Sequence, residues 1–433
     1  MRRLNGKTSL AALAAAAISA ALAGGAATGA GRVQVGAGVG GLEVDATRAG
    51  LDPHRLASLR GELQKLIDRH EIAGAVTVIG RRGHVGGVEV IGKRDLEGGR
   101  PMEASTLFRI ASCSKIATAV AVMKLEESGK LSVDDPVERL LPEFRGQKMI
   151  TAQNGDSITL ANPPRPITIA DLLTHTSGMN CGLPPGFGDL YKKRDRTLTE
   201  GVIAFSQHPL IGPPGKVWKY CSPAYDTLGR IVEVASGQSF EAFMQEKIFR
   251  PLGMTDTTYR PTAEQRKRLA VIYQKGEGEA ASLVPFEGQG FPAENLRWIS
   301  PSGGIFTTGP DMARLGQMLL GGGALGSHRI LRAETVKKMA SVRFTSKEKV
   351  GFTPGLGMGL GVQVVMEPAG VTSMLGKGSF GHGGAYGTQL WVDPEHDMYF
   401  VLMIQRTGFG NGDMSEARKL VQEVGVAAVV PGA

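Results

Sequence analysis

Cysteine is scarce: three residues in 433, at positions 113, 181 and 221, too few to hold a small disulfide-framed domain together. Blocks of one charge sign are missing as well. The charged residues, 21% of the chain, are spread along its length, which excludes an acidic or basic disordered tail and a polybasic nucleic-acid arm. No repeat of fixed period occurs, and after the first thirty residues no apolar stretch is long enough to span a bilayer. There is no G-x-S-x-G elbow and no H-E-x-x-H, and the eight histidines stand well apart, so neither a metal nor any other cofactor is expected. Gly376-Lys377-Gly378-Ser379-Phe380-Gly381 matches G-x-G-x-x-G, but the pattern after it is that of a strand rather than a helix, which removes a dinucleotide site.

What remains is a chain with 42% hydrophobic residues, enough for a large core and a buried pocket in two or three domain-sized units. Its first thirty residues differ in kind. Arg2, Arg3 and Lys7 precede a run from Ser9 to Ala27 built of Ala, Leu, Ile, Ser and Gly, the pattern of a signal peptide for secretion or periplasmic export. Ala21 and Ala23 fit an A-x-A cleavage site and Ala27 to Ala30 offer another; an uncleaved anchor is the alternative, since the run approaches spanning length although Ala and Gly keep it weakly hydrophobic. Loss of the segment takes the formal charge from +8 to +5, a mild excess that reads as a solvated surface of mixed sign.

Residues 31–50 then read as a Gly-rich lead-in. Leu56, Leu59, Leu63, Leu66 and Ile67 recur at helical spacing behind Pro53. Ala75 to Ile79 and Val85 to Ile91 flank Arg81-Arg82-Gly83 as two strands around a turn. A comparable pair, Gln389 to Val392 and Met398 to Ile404, flanks Asp393 to Asp397, and a helix from about Ser415 to Val424 follows. The simplest architecture is α+β: an antiparallel sheet from residues 51–130 and 295–433 flanked by helices, with a mainly helical domain, 131–294, inserted.

The strongest local signal is Phe108 to Lys115, in which Ser112 opens a helix carried by Ile116, Val120 and Met123. There its N–H is a donor the helix cannot use, and the positive end of the helix dipole favours an oxyanion. Lys115 lies one turn on, on the same face, and a desolvated lysine can take a serine proton. A second S-x-x-K, Ser346 and Lys349, sits among charges with no such helix behind it and reads as a solvated loop. Trp218-Lys219-Tyr220-Cys221-Ser222-Pro223 leads into a helix marked by Leu228, Ile231 and Val232 and stopped near Gly237, with Ser222 as its N-cap. Tyr220 would project at the helix mouth as general base or acid. Gly381-His382-Gly383-Gly384-Ala385 precedes a strand whose edge would offer the second oxyanion N–H, with His382 facing the cleft. Cys113 and Cys221 adjoin residues of this one site, so either they bridge or the thiols stay free and partly buried, the second being preferred.

These three blocks, in order, resemble the S-x-x-K, Y-x-N and K-T-G elements of the serine β-lactamases and penicillin-binding proteins, and most closely the class C branch with its family VIII esterases and D-peptidases. Asp171 to Met179, Arg250-Pro251-Leu252-Gly253-Met254 and Ser302-Gly303-Gly304 look like further stretches of that family, the similarity covering most of the chain after residue 50. The resemblance implies that Ser112 is acylated, that Lys115 and Tyr220 pass its proton, and that the N–H groups of Ser112 and Ala385, beside Gly384, hold the oxyanion. His175 reads as a structural loop residue rather than a base.

Departures from the pattern bear on substrate. Ser222 replaces an asparagine that reaches a substrate amide, and His382 and Gly383 replace a lysine and a threonine that receive a carboxylate. The expectation is therefore an exported carboxylesterase acting on small esters. A β-lactamase or D-alanyl-D-alanine carboxypeptidase or D-aminopeptidase is the alternative, and a non-catalytic penicillin-binding sensor is the alternative of another class.

Overall fold

The computed structural model describes residues 39–182, 195–277, 282–286, 296–348, 350–408 and 414–432. The expected signal peptide, most of the lead-in, Lys349 and parts of the loops around 180–215 and 280–300 lie outside them.

The first helix, α1 (Pro53–Asp68), forms where the leucine spacing predicts it, and Asp52 caps it by accepting from the N–H of His54 at 2.8 Å. Leu59, Leu63 and Leu66 make its buried stripe. Strands β1 (Gly74–Arg81) and β2 (His84–Asp95) follow as the expected hairpin, closed by Arg82 and Gly83, both at positive φ as a two-residue turn of this twist requires. After the short β3 (Arg100–Pro101), the chain leaves the sheet for some 250 residues. It returns with β4 (Leu356–Met358), β5 (Gln363–Val365), β6 (Phe380–Gly383), β7 (Gln389–Asp393) and β8 (Met398–Met403).

The eight strands form one antiparallel sheet in the order β4-β5-β6-β7-β8-β1-β2-β3. Strand β8 lies beside β1, pairing Val76 with Met403 through to Arg81 with Met398. The reason β8 is apolar throughout follows from its neighbours. Tyr399, Val401 and Met403 join one hydrophobic cluster and Met398, Phe400 and Leu402 the other, so both faces of the strand are covered. One face carries α1 and the last helix, α5 (Glu416–Ala427), which Ser415 caps. The other carries α4 (Gly309–Leu320), packed on β1, β7 and β8, and α2 (Ser114–Glu127), which meets the sheet at β6 and packs on α3 (Ser222–Ser236).

Helix α2 is buried on every side from Ser114 to Met123 rather than along the one stripe its spacing suggests, because α3 and the sheet side both pack against it. The segment from 131 to 294 carries the helices Ile169–Leu173 and Leu198–Ser206 as well as α3, and also an exposed hairpin, Met149–Asn154 with Ser157–Ala161, which the reading of this stretch as mainly helical passes over although Asn154-Gly155 marks its turn.

Candidate active site

Three segments converge at the start of α2. Phe108–Arg109 pairs with Phe306–Thr307, and the N–H of Ile110 donates to Ile305 O at 3.1 Å, which fixes the chain just before the helix. Ala111 then takes a left-handed backbone, φ 46, unusual for a residue with a β-carbon, and a single 3₁₀ turn, Ala111–Cys113, delivers half-buried Ser112 to the helix mouth. Strain of this kind concentrates where a side chain must be aimed.

Around the Ser112 hydroxyl stand the two expected partners. Tyr220 Oη donates to Ser112 Oγ at 2.7 Å, and Lys115 Nζ donates to it at 3.2 Å. Lys115 is wholly buried, and its ammonium group sits 4.8 Å from the Tyr220 ring centre and 5.3 Å from that of Tyr225. Burial brings its pKa down to about 7, against the smaller opposing pull of the Asp226 carboxylate. An amine that is half unprotonated at neutral pH is a competent base.

Two partners of this lysine escaped the sequence. Its Nζ also donates to the carbonyl O of Ser302 at 2.8 Å. Ser302 is in turn held by Asp226, buried in α3, whose Oδ1 accepts from the Ser302 N–H at 3.2 Å and from Ser300 Oγ at 3.3 Å. Ser302-Gly303-Gly304 was visible as a motif; that it serves through a backbone carbonyl was not, because a carbonyl carries no residue-type signal.

The third block reaches the same place by backbone ties. Thr388 Oγ1 donates to Ile110 O at 2.9 Å, Gly384 N–H donates to Thr388 O at 2.8 Å, and Cys113 Sγ donates to His382 O at 3.2 Å. Gly384 lies so close that a β-carbon there would meet Ile110 O at 2.3 Å, which explains the glycine. Ala385 follows, exposed at the turn. His382 is buried, its ring centre 6.0 Å from that of Tyr220 and its Nδ1 2.6 Å from Gly383 O. Since that oxygen only accepts, Nδ1 carries the proton and Nε2 is left as the acceptor. Burial, with Lys115 adding to it, lowers the His382 pKa to about 3, so the ring is uncharged at neutral pH.

Two expectations need correction. The N-cap of α3 is Cys221, with no side chain capping it, and Ser222 is the first helical residue, partly exposed beside Tyr220. The cysteines also pair differently: Cys181 is bridged to Cys221, with Cα atoms 4.9 Å apart, while Cys113 turns its thiol toward the carbonyls of His382 and Thr388 on the far side of the helix mouth. Proximity in sequence to one site did not place Cys113 and Cys221 face to face. Trp218 and Phe352 wall Tyr220, the Phe352 ring meeting it edge-on at 4.9 Å. Among the described residues no group of three His, Cys, Asp or Glu side chains is placed to hold a metal.

A profile of the β-lactamase family matches residues 59–424, nearly the whole folded chain. The chain belongs to the β-lactamase family. As a β-lactamase-family protein it is a serine hydrolase with the α+β fold of that family. Its relatives include protein Rv1367c of Mycobacterium tuberculosis, 32% identical over 361 residues that span 80% of this chain and 89% of the relative. Esterase EstB of Burkholderia gladioli is likewise 32% identical, over 80% of this chain and 91% of its own length. Among solved structures, EstCE1, a hydrolase with promiscuous acyltransferase activity, superposes with a TM-score of 0.71 at 27% identity, covering 87% of this chain and 99% of that one.

Proposed function

We propose that this β-lactamase-family protein is an exported carboxylesterase that forms an acyl-enzyme at Ser112. The observation that carries the reading is the hydroxyl of Ser112 lying within hydrogen-bond reach of both a phenol and a buried, readily neutral amine. Unprotonated Lys115 takes the Ser112 proton, directly or through the Tyr220 phenol, as the oxygen attacks the ester carbonyl. The Ser112 N–H, which the first turn of the helix leaves unused, and the Ala385 N–H hold the oxyanion. The alcohol departs with the proton passed back along the same groups, and water then releases the acid.

Esters are favoured over β-lactams and peptides by what surrounds the hydroxyl. His382 is uncharged and Gly383 has no hydroxyl, so neither attracts a carboxylate, and Ser222 is too short to reach an amide as asparagine would. An amide also demands fuller protonation of its leaving group. The esterase EstB among the relatives supports the same choice.

Export is supported by Arg2, Arg3, Lys7 and the apolar run behind them, and by the Cys181–Cys221 bridge, which suits an oxidising compartment. The test of the activity is hydrolysis of a p-nitrophenyl short-chain ester by wild type and Ser112→Ala, with nitrocefin alongside. Ester turnover abolished by Ser112→Ala, with little nitrocefin turnover, is the expected result; equal ester rates would end the proposal. Export is read from the N-terminus of the protein recovered outside the cytoplasm, and a chain beginning at Met1 there would remove the cleaved signal.

A further inference from the structure

His175 stands two residues beyond the helix Ile169–Leu173, in left-handed backbone at φ 59. From there it grips the chain ahead of α3 twice. Its carbonyl O accepts the N–H of Lys219 at 2.8 Å, and its Nδ1 accepts the N–H of Cys221 at 3.0 Å. Those are the residues immediately before and after Tyr220. The imidazole also packs on the Tyr220 ring, centre to centre 4.4 Å at 38°, and on Tyr225 at 5.0 Å, whose Oη donates to Leu173 O at 2.9 Å.

The polar part of this arrangement is specific. His175 is buried, and burial, with Lys115 and His382 acting in the same sense, keeps its pKa well below the ordinary imidazole value. A neutral ring that accepts at Nδ1 carries its proton on Nε2. That Nε2 has no hydrogen-bond partner among the described residues. A buried polar atom without a partner is destabilising, so an apolar ring would pack here at less cost. What the imidazole alone supplies is the lone pair on Nδ1.

We infer that His175 is a positioning residue, whose carbonyl and Nδ1 fix the peptides on both sides of Tyr220 so that its phenol stays on the Ser112 hydroxyl. The inference rests on the reading of Tyr220 as a proton carrier. Released from Cys221, the phenol gains freedom about the irregular segment that leads into α3, and misplacement by about 1 Å costs a catalytic group on the order of 100-fold. Substrate binding does not use this contact, so the loss falls on kcat.

Two substitutions separate the lone pair from the ring. His175→Phe keeps a flat ring and removes the acceptor. His175→Asn removes the ring, tolerates the left-handed backbone, and sets its Oδ1 close to where Nδ1 lies. With a p-nitrophenyl ester, the Phe variant is expected to lose about 100-fold in kcat at little-changed KM, and the Asn variant to stay within about tenfold of wild type. Wild-type kcat in the Phe variant, or equal losses in both, overturns the inference. Melting temperatures accompany the rates; should the Phe variant not fold, His175→Ala replaces it, and an Asn variant no better than Ala gives the same refutation. Tyr220→Phe is run in parallel. Undiminished turnover there removes the underlying reading of the site, whereas loss in Tyr220→Phe with none in His175→Phe removes only the role given to His175.

Discussion

At the scale of single residues, the proposed base Lys115 ties activity and stability to one proton. Its pKa is about 7 in the fold and 10.5 is the ordinary lysine value, so between these the unfolded chain binds the additional proton and stability rises with pH. Below about 7 both states are protonated and the burial penalty is fully present; above about 10 it is gone. Lys115→Met is therefore expected to abolish ester turnover while its melting temperature equals or exceeds that of wild type, the difference growing as pH falls from about 10 to 7 and levelling off below. Thermal melts across that range check it, and a variant less stable than wild type at pH 7 contradicts it. The rate of wild type, kcat/KM, should climb with an apparent pKa near 7, a value that belongs to the coupled Ser112, Lys115 and Tyr220 group rather than to one atom.

At the scale of elements, two connections outside the helices tie the site together. The Cys181–Cys221 bridge closes a span of 40 residues onto the head of α3. Cys181→Ser should lower the free energy of unfolding by about 2–4 kcal/mol, seen as a reduced urea midpoint with a slope equal to or steeper than that of wild type. The turn after β6 is the other connection. Gly384→Ala would drive a β-carbon into Ile110 O and Thr388 Oγ1, pushing the turn away from Ser112, and should cost on the order of 100-fold in kcat; unaltered kcat would show that this turn does not serve the oxyanion.

Which of these elements the sequence disclosed has a physical pattern. Helix α1, the hairpin of β1 and β2, strands β7 and β8 and helix α5 were legible because leucine spacing, a turn pair at positive φ and short unbroken apolar runs each leave a trace in residue type. Ser112, Lys115 and Tyr220 were legible as motifs that fall together in space. Asp226, the Ser302 carbonyl and the Cys181–Cys221 pairing were not. Each depends on which distant backbone packs beside it, and neither a carbonyl nor a lone cysteine announces its partner. The cap at α3 shifted by one residue because Cys221, tied through its sulfur and its N–H, is held extended just before the helix.

At the scale of the molecule, the two ends of the described chain lean on each other. The Asp52 N–H donates to Ala428 O at 2.7 Å and the Val430 N–H to Gly50 O at 3.1 Å, while Leu59, Leu63, Ala417 and Val421 share one apolar cluster between α1, α5 and the sheet. A chain stopped at residue 413 would leave that face of β1 and β8 bare. It should be recovered insoluble or without a cooperative thermal transition, and a normally melting truncated protein would refute this packing account.

The position of β8 also says something about timing. Ribosomes deliver Val76 to Arg81 early and their neighbours Met398 to Met403 more than three hundred residues later, and β4 to β7 come just as late, so for most of synthesis the sheet is β1 to β3 alone with β1 at its edge. Until that late strand emerges, the early hairpin offers an open hydrophobic edge with nothing to close it. Fragments from ribosomes that stall late should therefore aggregate through that edge rather than work as half an enzyme.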